Sequence, residues 1–412
     1  MNYIVLAIPV FFLLIGIELL VVRLGRRDYY RLSDTLNDLS CGILDQLLEV
    51  FAKTALFAGY VFIYGRHRLA TIPGDSALAW TVCFLGVDFF YYWFHRGSHE
   101  INAIWATHVV HHQSEEYNLA VALRQGAFQS AISWVFYLPL PLAGFPPLMF
   151  LTLSSLNTLY QFWIHTRAIG RLGALEWLLN TPSNHRVHHG RNPKYIDRNH
   201  GGTLIVWDRL FGTYQAEEEE PVYGITKPLA SWNPVWANFH YCVELLDLAR
   251  GMRRWSDRVR LLLKPPGWRP AELGGLEQAP EVDAASYRKW DVTRPRGLAR
   301  YALVQFVPVL AGSALLLFLQ DRLNQTALAT GSLWIVASLL ALGGLLERKA
   351  WALGVETARL LGAAGWAAAS APAAFAALAV AGAAASIAWL LRFRAALDAP
   401  AGSASGSDQR AY

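Results

Sequence analysis

The chain is 412 residues long, 54% hydrophobic and only 16% charged, with a mean hydropathy of +0.25. Soluble globular chains carry roughly 25% charged residues, so the composition excludes an ordinary soluble domain and points to a membrane protein with a polar portion. The formal net charge is +5, with Lys and Arg placed beside apolar segments rather than in one stripe; this suits membrane orientation and argues against a nucleic-acid partner.

Residues 3–22 are apolar except for Glu18 and lack a basic leader and a small-residue cleavage site. They read as an anchor helix rather than a cleaved signal. Residues 43–64 form a weaker second span, interrupted by Asp45, Glu49 and Lys53, and residues 77–94 a third. Residues 131–144 and 147–164 read as two arms of a hairpin bent at "GFPP", because proline ends or kinks a helix. A polar segment follows over residues 167–300. Four more apolar stretches come after it, at 301–319, 326–346, 350–370 and 371–391. The third of these is weakened by Glu356 and Arg359, and the last two are rich in Ala and Gly, which suits close packing in lipid.

These elements predict an all-α, polytopic helical membrane protein of about nine spans. Its predicted divisions are N-terminal spans over 1–76, a catalytic domain over 77–228 and a polar connector over 229–300. C-terminal spans follow over 301–395, and a disordered tail over 396–412. Basic residues after the first span ("RLGRRDYYR"), and in "ERK" and "RFR" after later ones, place that side in the cytoplasm. "GRHR" after the second span falls on the other side. The cysteines, Cys41, Cys83 and Cys242, show neither zinc-ribbon spacing nor a disulfide framework.

The chain has twelve histidines, and nine lie at or just beyond span ends on the predicted cytoplasmic side. His95 and His99 are four apart. His108, His111 and His112 form H-x-x-H-H, and so do His185, His188 and His189. Residues three or four apart share a helix face, so each cluster offers imidazoles to one point. Neutral imidazole suits Fe, Zn, Cu and Ni. Eight donors exceed the four of a tetrahedral site, so two adjacent ions are expected. His165, alone at the end of the fifth span, is a further candidate ligand. His200, in a Gly-rich turn, is a weaker one, and His67 and His240 are read as inert.

Among the carboxylates, Glu100 follows His99 directly. Asp88 lies two helical turns before His95 on the same face. It could orient a ligand imidazole, or it could make a buried helix–helix hydrogen bond. Glu115 and Glu116 are read as surface charge. The absence of H-E-x-x-H disfavours a membrane zinc hydrolase. Donors at span ends disfavour a metal transporter, whose ligands belong at mid-membrane.

The segments "YYWFHRGSHE", "WATHVVHHQSEEYNLAVALRQ", "YQFWIHT", "LNTPSNHRVHHGRNPKYIDRNHGGTLIVWDRLFGTY" and "VYGITKP" carry a resemblance. Over about residues 88–228 the chain resembles the fatty acid hydroxylase/sterol desaturase superfamily of membrane di-metal oxygenases. Within it, the likeness is to the branch acting on glyceryl ethers. The resemblance implies two Fe ions, O2 as co-substrate, a reduced pterin (tetrahydrobiopterin) as electron donor and a membrane lipid as substrate. It implies hydroxylation of the carbon next to an ether oxygen, releasing a fatty aldehyde. Sterol desaturation or acyl hydroxylation at the same site is the alternative. The eight clustered histidines carry over as iron ligands, with His165 a ninth. Glu100 carries over toward the pterin or proton handling. His200 departs from the pattern, standing where a tyrosine is expected. The implied setting is the endoplasmic reticulum or a bacterial inner membrane, with the electron-donating or pterin-recycling partner unspecified.

Overall fold

A computed structural model describes residues 3–398; the tail expected over 396–412 falls almost wholly outside the described residues. Among the described residues there is no β-strand; isolated bridges join Leu179 to Leu204 and Gly190 to Tyr223. The all-helical expectation is met. The helices divide into two compact units. The first comprises residues 3–31, Asp45–Leu229 and Asn238–Tyr287, and the second Leu32–Leu44, Ala230–Ala237 and residues 288–398.

In chain order the first helices are α1 (Tyr3–Leu24), α2 (Leu32–His67), α3 (Ala77–Glu100) and α4 (Asn102–His112). Next come α5 (Gln129–Phe136), α6 (Pro139–Ala143), α7 (Pro147–Trp163), α8 (Pro182–His188) and α9 (Val206–Phe211). Then follow α10 (Pro234–Gly251), α11 (Trp255–Leu263), α12 (Arg296–Leu319), α13 (Gln325–Leu346), α14 (Ala350–Ser370), α15 (Ala373–Leu391) and the short α16 (Arg394–Asp398).

Among the described residues, six helices are long and apolar enough to cross a bilayer, against the nine expected: α1, α2, α3, α12, α13 and α15. The chain is a multi-pass membrane protein. Neither arm of the expected hairpin is among these six helices: the first breaks into α5 and α6, where Pro139 and Pro141 interrupt the run, and α7, with 17 residues, stands at the short end of spanning length. The expected span over 350–370 is also not among them; α14 there carries Glu356 and Arg359. The expected second span begins earlier than read, because α2 runs for 36 residues from Leu32.

The first unit is built around α3. Ser76 caps it by accepting from the Ala79 N–H at 3.3 Å. Its buried face, Cys83 and Val87, packs with Tyr60, Leu140, Met149 and Leu153. The Tyr60 hydroxyl donates to the Phe145 carbonyl at 3.0 Å. Gly144, which ends α6 at φ +106°, is required there: a Cβ would sit 1.9 Å from the Ala70 carbonyl oxygen. α1 stacks Phe11 on Phe162 of α7, with ring centroids 4.3 Å apart. The one acid of α1, Glu18, is buried. It accepts from the Leu119 N–H at 2.8 Å and from the hydroxyls of Tyr30 and Thr166. A carboxylate at that depth survives because three donors surround it.

The second unit centres on a buried polar network across its helices. Glu356 and Arg359 of α14 pair at 2.6 and 2.8 Å. Tyr301 of α12 donates to Glu356 at 2.7 Å, and Arg359 donates to Gln305 at 2.9 Å. Gln305 in turn donates to Ser386 of α15 at 2.9 Å. Glu356→Ala strands the Arg359 charge, a defect worth about 3–5 kcal/mol. It is expected to lower the thermal unfolding midpoint in detergent, and Glu356→Ala/Arg359→Ala is expected to recover part of the loss. A single variant as stable as the parent would show that the pair does not hold these helices together.

Candidate metal centre

The last two turns of α3 place His95 and His99 on one face. Ile101, in extended conformation (φ −130°, ψ 115°), stops the helix, and α4 restarts at Asn102 to present His108, His111 and His112. His165 follows the end of α7. Pro182 starts α8, Thr181 caps it, and the helix carries His185 and His188, with His189 at its end.

The nine histidines gather into two groups. His95, His99, His108, His112 and His188 form one; His111, His165, His185 and His189 form the other. Within each group the donor nitrogens lie within 4.8 Å of one another, and every ring is at least 95% buried. The groups adjoin: the rings of His112 and His189 stack with centroids 4.4 Å apart.

The hydrogen bonds behind the rings decide what the front can do. The Nδ1–H groups of His95, His111, His165 and His188 donate to the carbonyls of His200, Arg124, Gln161 and Arg198 at 2.7–2.9 Å. That of His108 donates to Gln129 Oε1 at 2.7 Å. Each ring so held turns an Nε2 lone pair inward. Nε2 of His111 then faces Nε2 of His165 at 3.1 Å, and Nε2 of His95 faces that of His108 at 3.1 Å. The His165–His185 pair stands at 3.0 Å. Lone pair against lone pair repels unless a cation lies between them. Two nitrogens about 2.1 Å from one ion and at right angles are about 3.0 Å apart. Nε2 of His99, His188 and His189 is buried with no hydrogen-bond partner. The donor set fits metal ions.

Burial, with neighbouring rings adding to it, lowers the imidazole pKa values of His112, His165, His185, His188 and His189 well below the usual range. Burial lowers His108 to about 3 and His111 to about 4. At neutral pH these rings are uncharged, the form that binds metal.

The carboxylates fall differently from the expectation. Asp88 touches no imidazole of either group. It accepts from the backbone N–H groups of Thr203 and Leu204 at 2.7 and 3.1 Å, from Trp207 at 2.9 Å and from Asn157 of α7 at 2.8 Å. It therefore makes the helix–helix bond and also pins the turn after His200, whose carbonyl holds His95. Gly202 is needed for this approach: a Cβ would stand 3.0 Å from the Asp88 carboxylate and 2.8 Å from the Tyr91 ring. The carboxylate beside a ligand is Asp197, 3.4 Å from His99 Nδ1. Glu100 is half-exposed and pairs with Arg96 at 2.8 Å.

Glu115 and Glu116 are not surface charges. Both are buried, near Arg31 at 3.7 and 4.0 Å, and Glu115 also accepts from the Tyr287 hydroxyl. His200 is fully buried with both ring nitrogens lacking a hydrogen-bond partner, its ring 5.1 Å from that of His99. It stands outside both groups. His67 lies at the exposed end of α2, and His240 faces Gln113 at 3.2 Å, both away from the centre. Trp105 lies against the rings of His99 and His112, and Trp207 against Phe89. Trp163 packs edge-on to Tyr160. Sequence reasoning missed Asp197 and Gln129, which sit at no informative spacing from the rings they hold.

Two outcomes are expected. Asp88→Asn places an NH2 group against donors, each unmade bond costing about 1–3 kcal/mol, and is expected to lower both the thermal midpoint and the bound metal. Wild-type values of both would remove Asp88 from the support of His95. For metal-free protein, the folded pKa values of His108 and His111 lie below the ordinary 6.5. Their contribution to stability is then present above pH 6.5 and lost as pH falls toward 4. Denaturant midpoints measured across that window should decline; a flat profile would contradict the burial.

The sequence profile of the fatty acid hydroxylase family matches residues 80–213, which hold all nine histidines. Alkylglycerol monooxygenase from Homo sapiens is 40% identical over 363 residues, covering 87% of this chain and 81% of its own length. The enzymes of the same name from Xenopus tropicalis and Danio rerio are each 38% identical over 87% of this chain, and 81% and 80% of their own lengths are covered. No solved structure matches the chain. With matches of this extent running far beyond the histidine segments, the chain belongs to the alkylglycerol monooxygenase family, a branch of the membrane fatty acid hydroxylases.

Proposed function

We propose that the chain is an oxygen-dependent membrane monooxygenase acting on alkylglycerol ether lipids. The observation that carries this reading is the set of nine buried imidazoles in groups of five and four, several with lone pairs turned on one another, in a chain 40% identical to a human alkylglycerol monooxygenase. His95, His99, His108, His112 and His188 would hold one iron ion, and His111, His165, His185 and His189 the other. Such a pair supplies oxygen activation when bound.

The chemistry balances with a reduced pterin as two-electron donor. One oxygen atom enters the C–H bond next to the ether oxygen, and the other leaves as water with the donor's electrons and two protons. The resulting hemiacetal expels the glycerol oxygen and leaves a fatty aldehyde. The protein orients the imidazoles through the carbonyl belt, and Trp105 keeps water from the rings of His99 and His112. Glu100, held by Arg96 at the rim, would receive a proton or the N–H groups of the pterin. The basic residues at span ends support a cytoplasmic face for the centre, in the endoplasmic reticulum or a bacterial inner membrane.

The test supplies a 1-O-alkylglycerol, O2 and tetrahydrobiopterin to the purified protein and measures fatty aldehyde. Aldehyde is expected, with about two iron ions per chain by metal analysis. His108→Ala should lower the rate by more than the roughly 10–100-fold typical of lost outer-shell partners. Oxidation of a sterol or fatty acyl substrate, with no aldehyde from the ether lipid under any reductant, would overturn the ether-lipid reading.

A further inference from the structure

α11 has two faces of different character. Asp257 and Leu261 are buried, with Leu261 packed in a cluster with Ala106 of α4, Leu245 and Met252. The other face exposes Trp255 (74%), Val259 (43%), Leu262 (44%) and Leu263 (66%). These four occupy positions i, i+4, i+7 and i+8 and so form one stripe along the helix. Helical spacing puts Arg258 on one flank of the stripe and Arg260 on the other. Arg253 and Arg254 precede it and Lys264 follows, all three exposed. Residues 250–264 hold six basic residues and a single acid, the buried Asp257.

The place of the helix agrees with this pattern. The spanning helix α3 ends at Glu100. Two residues on, Asn102 donates its backbone N–H to the Lys264 carbonyl at 3.0 Å and its side-chain amide to the Leu261 carbonyl at 2.8 Å. The C-terminus of α11 is therefore fastened beside the C-terminal end of the spanning helix α3. An apolar stripe of this width, bordered by arginines and held at that position, has the composition of a helix lying in the membrane interface.

We propose that α11 lies in the plane of the bilayer surface, with Trp255, Val259, Leu262 and Leu263 among the upper acyl chains. Arg253, Arg254 and Lys264 engage anionic lipid head groups, while Arg258 is held on the Met252 carbonyl and Arg260 beside Asp257. The occupant is the bilayer, because the polar border is almost wholly cationic and anionic lipid supplies the opposite charge. Asn102 begins the helix that carries His108, His111 and His112, so α11 in the interface would fix the depth of α4 whichever lipid the centre oxidises.

The test uses the full-length protein in nanodiscs of phosphatidylcholine, with or without phosphatidylglycerol. A Trp255→Cys/Cys242→Ser chain carries an environment-sensitive fluorophore at residue 255; Cys41 and Cys83 are fully buried. The control carries it at Asp247→Cys, a side chain 62% exposed in α10. The label at 255 should be quenched by lipids brominated on the upper acyl chain and shielded from aqueous iodide, with the reverse at 247. Quenching at 255 should rise about twofold with anionic lipid, and Arg253→Gln/Arg254→Gln/Lys264→Gln should abolish that rise while bound metal stays unchanged. Iodide quenching at 255 overturns the proposal. So does protection from both quenchers, which would mean that protein covers the stripe, and energy transfer between labelled chains would identify a second copy as that cover. Equal quenching in the two discs overturns the role of anionic lipid.

Discussion

Nine imidazole lone pairs crowded into a buried interior are the constraint on which the first unit depends. Left alone they repel. The fold holds them by spending backbone carbonyls that would otherwise stay in helix ends and turns. The carbonyls of Arg124, Gln161, Arg198 and His200 each take a ring N–H and thereby fix a tautomer and a direction. A carbonyl acceptor adds no net charge, so the site keeps its full capacity for a cation. Because the rings are also held uncharged by burial, the centre is ready for metal at neutral pH without first losing protons.

That arrangement explains why residues far from the rings are so tightly specified. The His200 carbonyl reaches His95 only because the turn from Gly201 to Leu204 lies flat on α3. Asp88 holds the turn from one side through two backbone N–H groups and the Trp207 indole. Asp208 holds it from the other through the N–H groups of His200 and Gly201 at 2.7 Å each. Both glycines are forced, since a Cβ at 201 would meet the Leu204 carbonyl oxygen at 2.5 Å and one at 202 the Asn157 side chain at 2.9 Å. The segment "HGGTL" thus supports the candidate metal centre although it lies outside both groups of donor rings.

Much of this centre was legible in the sequence, for a physical reason. Spacings of four are a local property of helices, so His95 with His99, His108 with His112 and His185 with His189 declare a shared face before any tertiary contact is known. The runs do not each serve one point as expected, because the residue beside the i,i+4 pair, His111 in one run and His188 in the other, turns to the opposite group. His165, a candidate from its place at a span end, was strengthened by the family likeness. What stayed hidden depends on contacts between distant segments. Gln129 reaches His108 across 21 residues, and Asp197 meets His99 across nearly a hundred. Asp88 was found by its cost, a carboxylate among aromatics, but its partners come from a turn over a hundred residues away. Glu115 and Glu116 misled because a pair of glutamates has the composition of a surface; only the fold shows Arg31 and Tyr287 folded over them. The six candidate spans leave out the α5–α6 break, the 17-residue α7 and α14 with its Glu356 and Arg359, where apolar composition alone had suggested spans.

The position of the cage at the end of α3 follows from two opposed costs. Metal ions and their ligands are expensive at the centre of a bilayer, yet a lipid substrate must bring a carbon near one end of its alkyl chain to them. A helix that spans and then carries its donors in its last two turns meets both demands. The aromatic run before His95 supplies the apolar part of that boundary: Tyr92 and Phe94 are buried, and Phe89 packs on Trp207. The extended residue Ile101 then turns the chain into α4, so that donors from a spanning helix and from one beyond it meet at the same depth. Moving the donors a turn deeper would bury charge in hydrocarbon; moving them a turn outward would expose the imidazoles to water and raise their basicity. The boundary is where nine neutral nitrogens can face both a lipid and a cation.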